Sequence, residues 1–285
     1  MLIDLCKVIL LAIIEGVTEW LPVSSTGHMI LVEELLSISH MSLPFYNAFL
    51  YVIQLGAILA VVVLFWRRLF PFAHPKSSEE RRSILHLWKL VLIGVLPAAV
   101  VGLALDSLLE RYLFVPGVRA YVVAFALILY GILFIVLERA FRNRCDSMTT
   151  ISALTPKTVA FIGLFQVLSI IPGTSRSGST ILGARLIGVS RTVAAEFSFF
   201  MAIPIMLGVS LLKVAKFALG SVRGEAGYEL SPEPLLLLAV GFFVAFVVSL
   251  FAIRFLLDFV SRHSFACFGW YRIALGCTVL LRFLL

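Results

Sequence analysis

The chain has 285 residues, of which 61% are hydrophobic and 14% charged, and its mean hydropathy is +1.07. Soluble domains carry about 25% charged residues, so a water-soluble globule is excluded and an integral membrane protein is expected. The net charge of +7 falls in short stretches between apolar runs, which the positive-inside rule explains better than nucleic-acid binding.

Residues 1–21 contain Asp4, Lys7, Glu15 and Glu19, which suits neither a basic n-region nor an apolar h-region, so no cleavable signal peptide is expected. Residues 8–14 are wholly apolar, and then comes Glu15-Gly-Val-Thr-Glu19-Trp-Leu-Pro22-Val-Ser24-Ser25-Thr26-Gly27-His28. Carboxylates at i and i+4 project from one helix face. Pro22 splits residues 1–40 into two short apolar pieces, predicting a re-entrant helical hairpin. Irregular backbone at membrane depth is tolerated only where protein or water covers it.

Five uncharged runs follow, at 46–66, 90–105, 120–137, 197–212 and 235–253, with a weaker sixth at 268–285 that carries Arg272 and Arg282 near its ends. Each approaches the roughly 20 residues that a bilayer crossing takes. Gln54 lies inside the first span and is expected to bond within the bundle. Arg67, Arg68, Lys76, Arg81, Arg82 and Lys89 follow the first span, and Arg139, Arg142, Arg144 and Lys157 follow the third. These loops, with 254–263, read as cytoplasmic. The stretches holding Asp106, Glu110 and Arg111, and Arg223, Glu225, Glu229 and Glu233, read as external. Asp106 and Glu110 are expected as solvated loop charges. Cys6, Cys145, Cys267 and Cys277 form no CxxC or metal-ligand spacing and are expected as small apolar residues or loop thiols.

The chain repeats itself weakly. Leu21-Pro22 and Ser24-Ser25 resemble Ile171-Pro172 and Thr174-Ser175; Leu55-Gly56 resembles Leu207-Gly208, Gly94 matches Gly241, and Tyr130-Gly131 resembles Leu275-Gly276. Each half, 1–140 and 151–285, is then a hairpin plus three spans within one membrane domain. An odd number of crossings per half makes the second copy inverted. The predicted fold class is an all-α integral membrane protein with six transmembrane helices and two re-entrant helical hairpins in an inverted-topology repeat, an arrangement that builds a polar site at the midplane.

The second hairpin carries Pro172-Gly173-Thr174-Ser175-Arg176-Ser177-Gly178-Ser179-Thr180. A Gly- and Ser/Thr-rich turn opening a helix presents free backbone N–H groups to an anion, and Arg176 adds a fork suited to phosphate oxygens. Gly173, Thr174, Ser175, Ser177 and Thr180, with Ser24 and Thr26 of the first turn, are candidate phosphate contacts. Ser25 or Ser24 is a candidate nucleophile, His28 a proton relay, and Glu15 and Glu19 a base or the ligands of a divalent cation. Two carboxylates would repel a diphosphate in a low dielectric, so either Mg²⁺ or Ca²⁺ bridges them or one is protonated. A charge at mid-bilayer costs about 2.5–3.5 kcal/mol, roughly 9 for Glu15, Glu19 and Arg176 together, which argues for function over decoration. Glu196 either supports the second hairpin or is an interfacial charge.

The two motifs Glu15-Gly-x-Thr-Glu19-x-Leu-Pro-Val-Ser-Ser-Thr-Gly-His28 and Pro172-Gly-x-Ser-Arg-Ser-Gly-x-Thr180 resemble the signatures of undecaprenyl-diphosphate phosphatases of the bacitracin-resistance (BacA) type. Ala195-Glu-Phe-Ser-Phe199 with Ala202-Ile-Pro204 resembles a third stretch of that family. The resemblance covers the whole chain in length and hydropathy, apart from variable loops such as 142–156, and Trp20 stands where Phe is usual. It implies an enzyme of the bacterial inner membrane that removes the terminal phosphate of undecaprenyl diphosphate, regenerating the lipid carrier for peptidoglycan. It implies dependence on Mg²⁺ or Ca²⁺, catalytic roles for Glu15, Glu19, Ser25, His28 and Arg176, and a site open to the periplasm. Attack by Ser25 and direct attack by a metal-activated water are rival mechanisms. The rival function is transport: the same architecture would suit a flippase of the lipid phosphate. The expected partners are the membrane and a polyprenyl diphosphate; the oligomeric state is not fixed by the sequence, and a homodimer is compatible with it.

Overall fold

A computed structural model describes residues 2–36, 42–72, 77–112, 118–142, 145–228 and 231–284, without the side chains of 34–36 and 106–112. Lys76, Arg144 and Glu229, and the side chains of Asp106, Glu110 and Arg111, therefore lie outside the described residues. The elements in order are α1 (Leu2–Thr18), α2 (Ser25–Leu36), α3 (Leu43–Leu64), α4 (Trp66–Leu69), α5 (Ser78–Tyr112), α6 (Val118–Ala140), α7 (Pro156–Val167), α8 (Arg176–Leu186), α9 (Arg191–Val222), α10 (Pro232–Arg262) and α11 (Ala266–Leu284). Among the described residues the pairing outside helices is an isolated bridge between Met148 and Val189.

Six of these helices, α3, α5, α6, α9, α10 and α11, are long and apolar enough to cross a membrane, so the chain is a multi-pass membrane protein. Helices α9 and α10 run to 32 and 31 residues, well past the uncharged cores of their predicted spans, because charges are tolerated at helix ends that reach the interface. Helices α1, α2, α7 and α8, at 17, 12, 12 and 11 residues, fall short of the roughly 20 needed to cross. Side-chain caps fix several starts. Ser42, Thr155 and Ser190 accept from the N–H of Phe45, Thr158 and Val193, which satisfies donors that a helix start leaves free.

Small residues let the long helices approach. A Cβ added to Gly131 of α6 would lie 2.7 Å from the Gly269 carbonyl oxygen of α11, and one added to Gly269 would lie 2.7 Å from that of Gly131. Without a hydrophobic drive between helices in lipid, such close backbone packing supplies the attraction. Helix α1 packs against α10 and α7 against α5, so these two short helices each lean on a span from the other half of the chain.

Polar contacts mark two ends of the bundle. At one, Glu33 of α2 accepts from the Tyr46 hydroxyl at 2.6 Å and faces Arg119 at 3.8 Å, while Ser42 donates to the Gly227 carbonyl at 2.6 Å. At the other, Glu138 accepts from Arg191 at 2.5 Å and faces Arg185 at 3.6 Å, and Arg185 donates to Asp146 at 2.6 Å. Glu196 pairs with Arg68 of α4, which ties α9 to the short helix after α3. From their starting turns, α2 therefore runs toward the first end and α8 toward the second.

Candidate active site

The two turns that open α2 and α8 share one backbone design. Ser24 and Ser175 are the non-glycine residues with positive φ among those described, at 74° and 72°. Such a conformation costs of order 1–3 kcal/mol and persists only where the surroundings enforce it. Both serines cap their helix: Ser24 Oγ accepts from Gly27 N–H at 3.4 Å, and Ser175 Oγ from Gly178 N–H at 3.1 Å. Both carbonyls are gripped from one turn ahead, Ser24 O by His28 Nδ1 at 2.7 Å and Ser175 O by the Ser179 hydroxyl at 2.9 Å.

The residue after each strained serine reaches the same carboxylate. Ser25 Oγ donates to Glu19 Oε2 at 3.0 Å, and Arg176 Nη2 to Glu19 Oε1 at 3.1 Å. Arg176 is held further by the Ser198 carbonyl at 2.9 Å and lies over the Trp20 ring, 5.9 Å from its centroid. Ser177 Oγ completes the link between turns by donating toward the Glu19 and Leu21 carbonyls, at 3.3 and 3.2 Å. Of the residues predicted from sequence, Glu19, Ser25 and Arg176 thus meet directly.

The others take distinct places. Glu15 is buried, 4% exposed, within electrostatic reach of Glu19 and Arg176. Gln54 accepts from Ser210 of α9 at 3.3 Å, the expected bundle contact. His28 Nδ1 faces a carbonyl, so it carries the proton, and Nε2 accepts from the Tyr271 hydroxyl at 2.7 Å. The imidazole stacks on the Tyr271 ring; it braces the Ser24 turn rather than touching Ser25 or Glu19. Thr180 is buried, with its hydroxyl on the Arg176 and Ser177 carbonyls and on Ser198, so it shapes the turn from behind. Thr174 is buried and its hydroxyl has no partner within the protein. Thr26 is half-buried on α2.

Two functional candidates escape the sequence. Tyr271 is the His28 partner, and Arg272 is fully buried in α11. Arg272 donates to Pro22 O at 3.1 Å in the first turn and to Gly173 O and Thr174 O, both at 2.9 Å, in the second. A guanidinium with carbonyl partners on both turns fixes their separation. The available signal was its depth: Arg272 lies six residues inside α11, and intramembrane cations are rare without a role.

On the segments that carry the two turns and on α11, Glu15 Oε1, Trp20 Nε1, both polar atoms of Gln166, Thr174 Oγ1, Arg176 Nε and Arg272 Nε are buried with no partner in the protein. Buried polar groups are normally satisfied, so a cluster of exceptions points to a polar ligand. The donors suit a phosphorylated group. The free Glu15 oxygen suits a hard cation, and Glu15 with Glu19 forms a two-carboxylate set. Among the described residues no group of three or more His, Cys, Asp or Glu could hold a metal.

Comparison with known proteins adds to this geometry. The family described as "Bacitracin resistance protein BacA" matches residues 8–278. A protein of Enterococcus faecalis is 49% identical over 281 residues, covering 98% of this chain and 97% of its own length. One of Acetivibrio thermocellus is 48% identical over 99% of each chain, and one of Lacticaseibacillus paracasei 50% identical over 98% of each. All three are called undecaprenyl-diphosphatase.

Proposed function

The chain belongs to the BacA family of bacitracin resistance proteins, and from that premise we propose that it hydrolyses undecaprenyl diphosphate to undecaprenyl phosphate and inorganic phosphate. The observation that carries the reading is the meeting of Ser25 and Arg176 on Glu19 beneath two helix N-termini. Relatives of about half identity, called undecaprenyl-diphosphatase, support the substrate.

In the proposed reaction Ser25 Oγ attacks the terminal phosphorus while its proton passes to Glu19 Oε2. The new Ser O–P bond forms as the bridging P–O bond breaks, and the lipid monophosphate leaves with the bridging oxygen. Water then attacks the phosphoserine: the water O–P bond forms as the Ser O–P bond breaks, the serine oxygen takes back the proton from Glu19, and inorganic phosphate leaves with the water's oxygen. Arg176 and the N–H groups opening α8 stabilise charge on the transferring group. Arg272 and the His28–Tyr271 pair hold the turns in register. A divalent cation held by Glu15 and Glu19 would neutralise the diphosphate and withdraw charge from its oxygens.

We read the four short helices as two re-entrant hairpins of an inverted repeat. Three observations support this: the common turn design, the opposite directions of α2 and α8, and the exchanged packing of α1 on α10 and α7 on α5. The Arg-rich end, with Arg67, Arg68, Arg139 and Arg142, is assigned to the cytoplasm. Helix α2 then leads from Ser25 to the periplasmic face, where the site opens.

The test is phosphate release from undecaprenyl diphosphate by purified protein in detergent, with no membrane gradient. The proposal expects turnover by wild type and loss in Glu19→Gln. A wild-type protein that binds the lipid but releases no phosphate would instead support transport.

A further inference from the structure

Two lateral grooves open between the helices, and they differ in where they lead. The larger, about 500 Å³, is walled by apolar side chains of α3, α5, α9 and α10, including Leu59, Trp88 and Leu207, and includes no residue of either turn. The smaller, about 340 Å³, is bounded by Tyr121, Phe125, Leu129 and Tyr130 of α6 together with Ile171 and Thr174 of the second turn. Tyr121, Phe125 and Leu129 recur at four-residue spacing, so they share one face of the helix. They are 44%, 68% and 40% exposed, and Ile171 is 40% exposed. The inner end has a different character. Thr174 is buried with its hydroxyl unpartnered, and Tyr130 is buried with the Arg272 guanidinium 5.5 Å from its ring centroid.

We propose that this groove is the seat of the isoprenoid chain, entered sideways from the lipid, and that it delivers the diphosphate to the turns head first; the inference rests on the phosphatase reading. The groove's lining is apolar apart from its tyrosines and Thr174, and it reaches the second turn at Ile171 and Thr174, whose buried hydroxyl has no partner in the protein. It occupies the half of α6 nearer Val118, the end of the bundle assigned to the periplasm. Its volume holds only the head-proximal part of a long tail, so the remainder extends among the membrane lipids. Recognition therefore falls on the first isoprene units, and distal chain length matters little. The lining of the larger groove includes no residue of either turn.

The experiment compares wild type, Leu129→Trp and Ala126→Phe, which fill the smaller groove, and Leu59→Trp, which fills the larger. Each is assayed on undecaprenyl diphosphate and on isopentenyl diphosphate, whose short tail ends near the head group. The two smaller-groove variants are expected to raise KM for the long substrate about tenfold, equivalent to about 1.4 kcal/mol of lost apolar contact, with the short substrate and Leu59→Trp unaffected. Equal KM values on the long substrate, or a defect confined to Leu59→Trp, would overturn the groove while leaving the phosphatase reading intact. Absence of turnover in wild type on both substrates would strike the phosphatase reading instead. The groove is then judged on wild-type protein by photolabelling with a polyprenyl diphosphate bearing a diazirine near its head. Labels are expected on 121–130 and Ile171, displaced by excess unlabelled lipid. Labels on α3 and α9, or labels that excess lipid does not displace, would contradict it.

Discussion

The two turns are near copies in backbone and opposites in chemistry. Both set a serine at positive φ, cap a helix with its hydroxyl and end on a glycine three residues later. What each presents differs. The first turn follows Glu15 of α1 and contains Glu19, and it places Ser25 after its strained serine; the second follows Gln166 and Ile170 and places Arg176 there. In the 151-residue register set by Ser24 and Ser175, Gln166 stands where the first half has Glu15. In the proposed repeat, two turns of one backbone design carry different side chains. One turn brings the acids and the hydroxyl, the other the cation. The comparison teaches that symmetry supplies the cavity while departure from it supplies the reaction.

The largest way to break the comparison is to remove the shared contact. Glu19→Gln and Arg176→Ala are each expected to lower kcat by about 10³-fold. Removing one member leaves the other charge buried, so thermal unfolding in detergent is also expected to show a loss of about 3–5 kcal/mol; full activity in either variant would dissociate the turns. Rapid acid quench after mixing with terminally ³²P-labelled substrate is expected to leave label on a peptide containing Ser25, and wild-type activity in Ser25→Ala would end the covalent route. Next in size, Arg272→Ala leaves carbonyls of both turns without their donor. A fall of about 10²-fold in kcat is expected, since small misplacements of reacting groups carry such effects, with partial recovery in Arg272→Lys. Glu15→Gln is expected to shift the divalent-cation dependence of the rate to about tenfold higher concentration, on the scale of losing one metal-site interaction. The smallest effects sharpen the symmetry. Ser24→Ala and Ser175→Ala are each expected to cost about 1–2 kcal/mol in unfolding, and the glycine variants only a few tenths, because glycine accepts the positive φ.

Much of this architecture was legible in the sequence, because membrane burial writes spans as long apolar runs and makes intramembrane charges conspicuous. The six spans, both turns and the residues Glu19, Ser25 and Arg176 could be read that way. The register of the two turns was legible only approximately: aligning Thr174 with Ser24 gives an offset of 150, whereas the strained serines stand 151 apart, because the second turn holds one more residue after its proline. Arg272 read as an end charge of a weak span, since its partners lie 250, 99 and 98 residues away. His28 read as a proton relay because its spacing from Ser24 was visible and its bond to Tyr271, 243 residues distant, was not. The ion cluster of Glu138, Arg185 and Asp146 was hidden for the same reason. Periodicity reports which face of a helix is buried; it does not report which distant backbone that face meets.

The most direct measurement of the central claim is a double-mutant cycle on kcat with Ser25→Ala, Arg176→Ala and the pair combined, each checked for folding by thermal unfolding. Residues acting as a unit through one carboxylate are non-additive, so the double variant is expected to be no slower than the slower single variant. Losses that simply multiply would mean that the two turns act independently and that their meeting at Glu19 is not the seat of the chemistry.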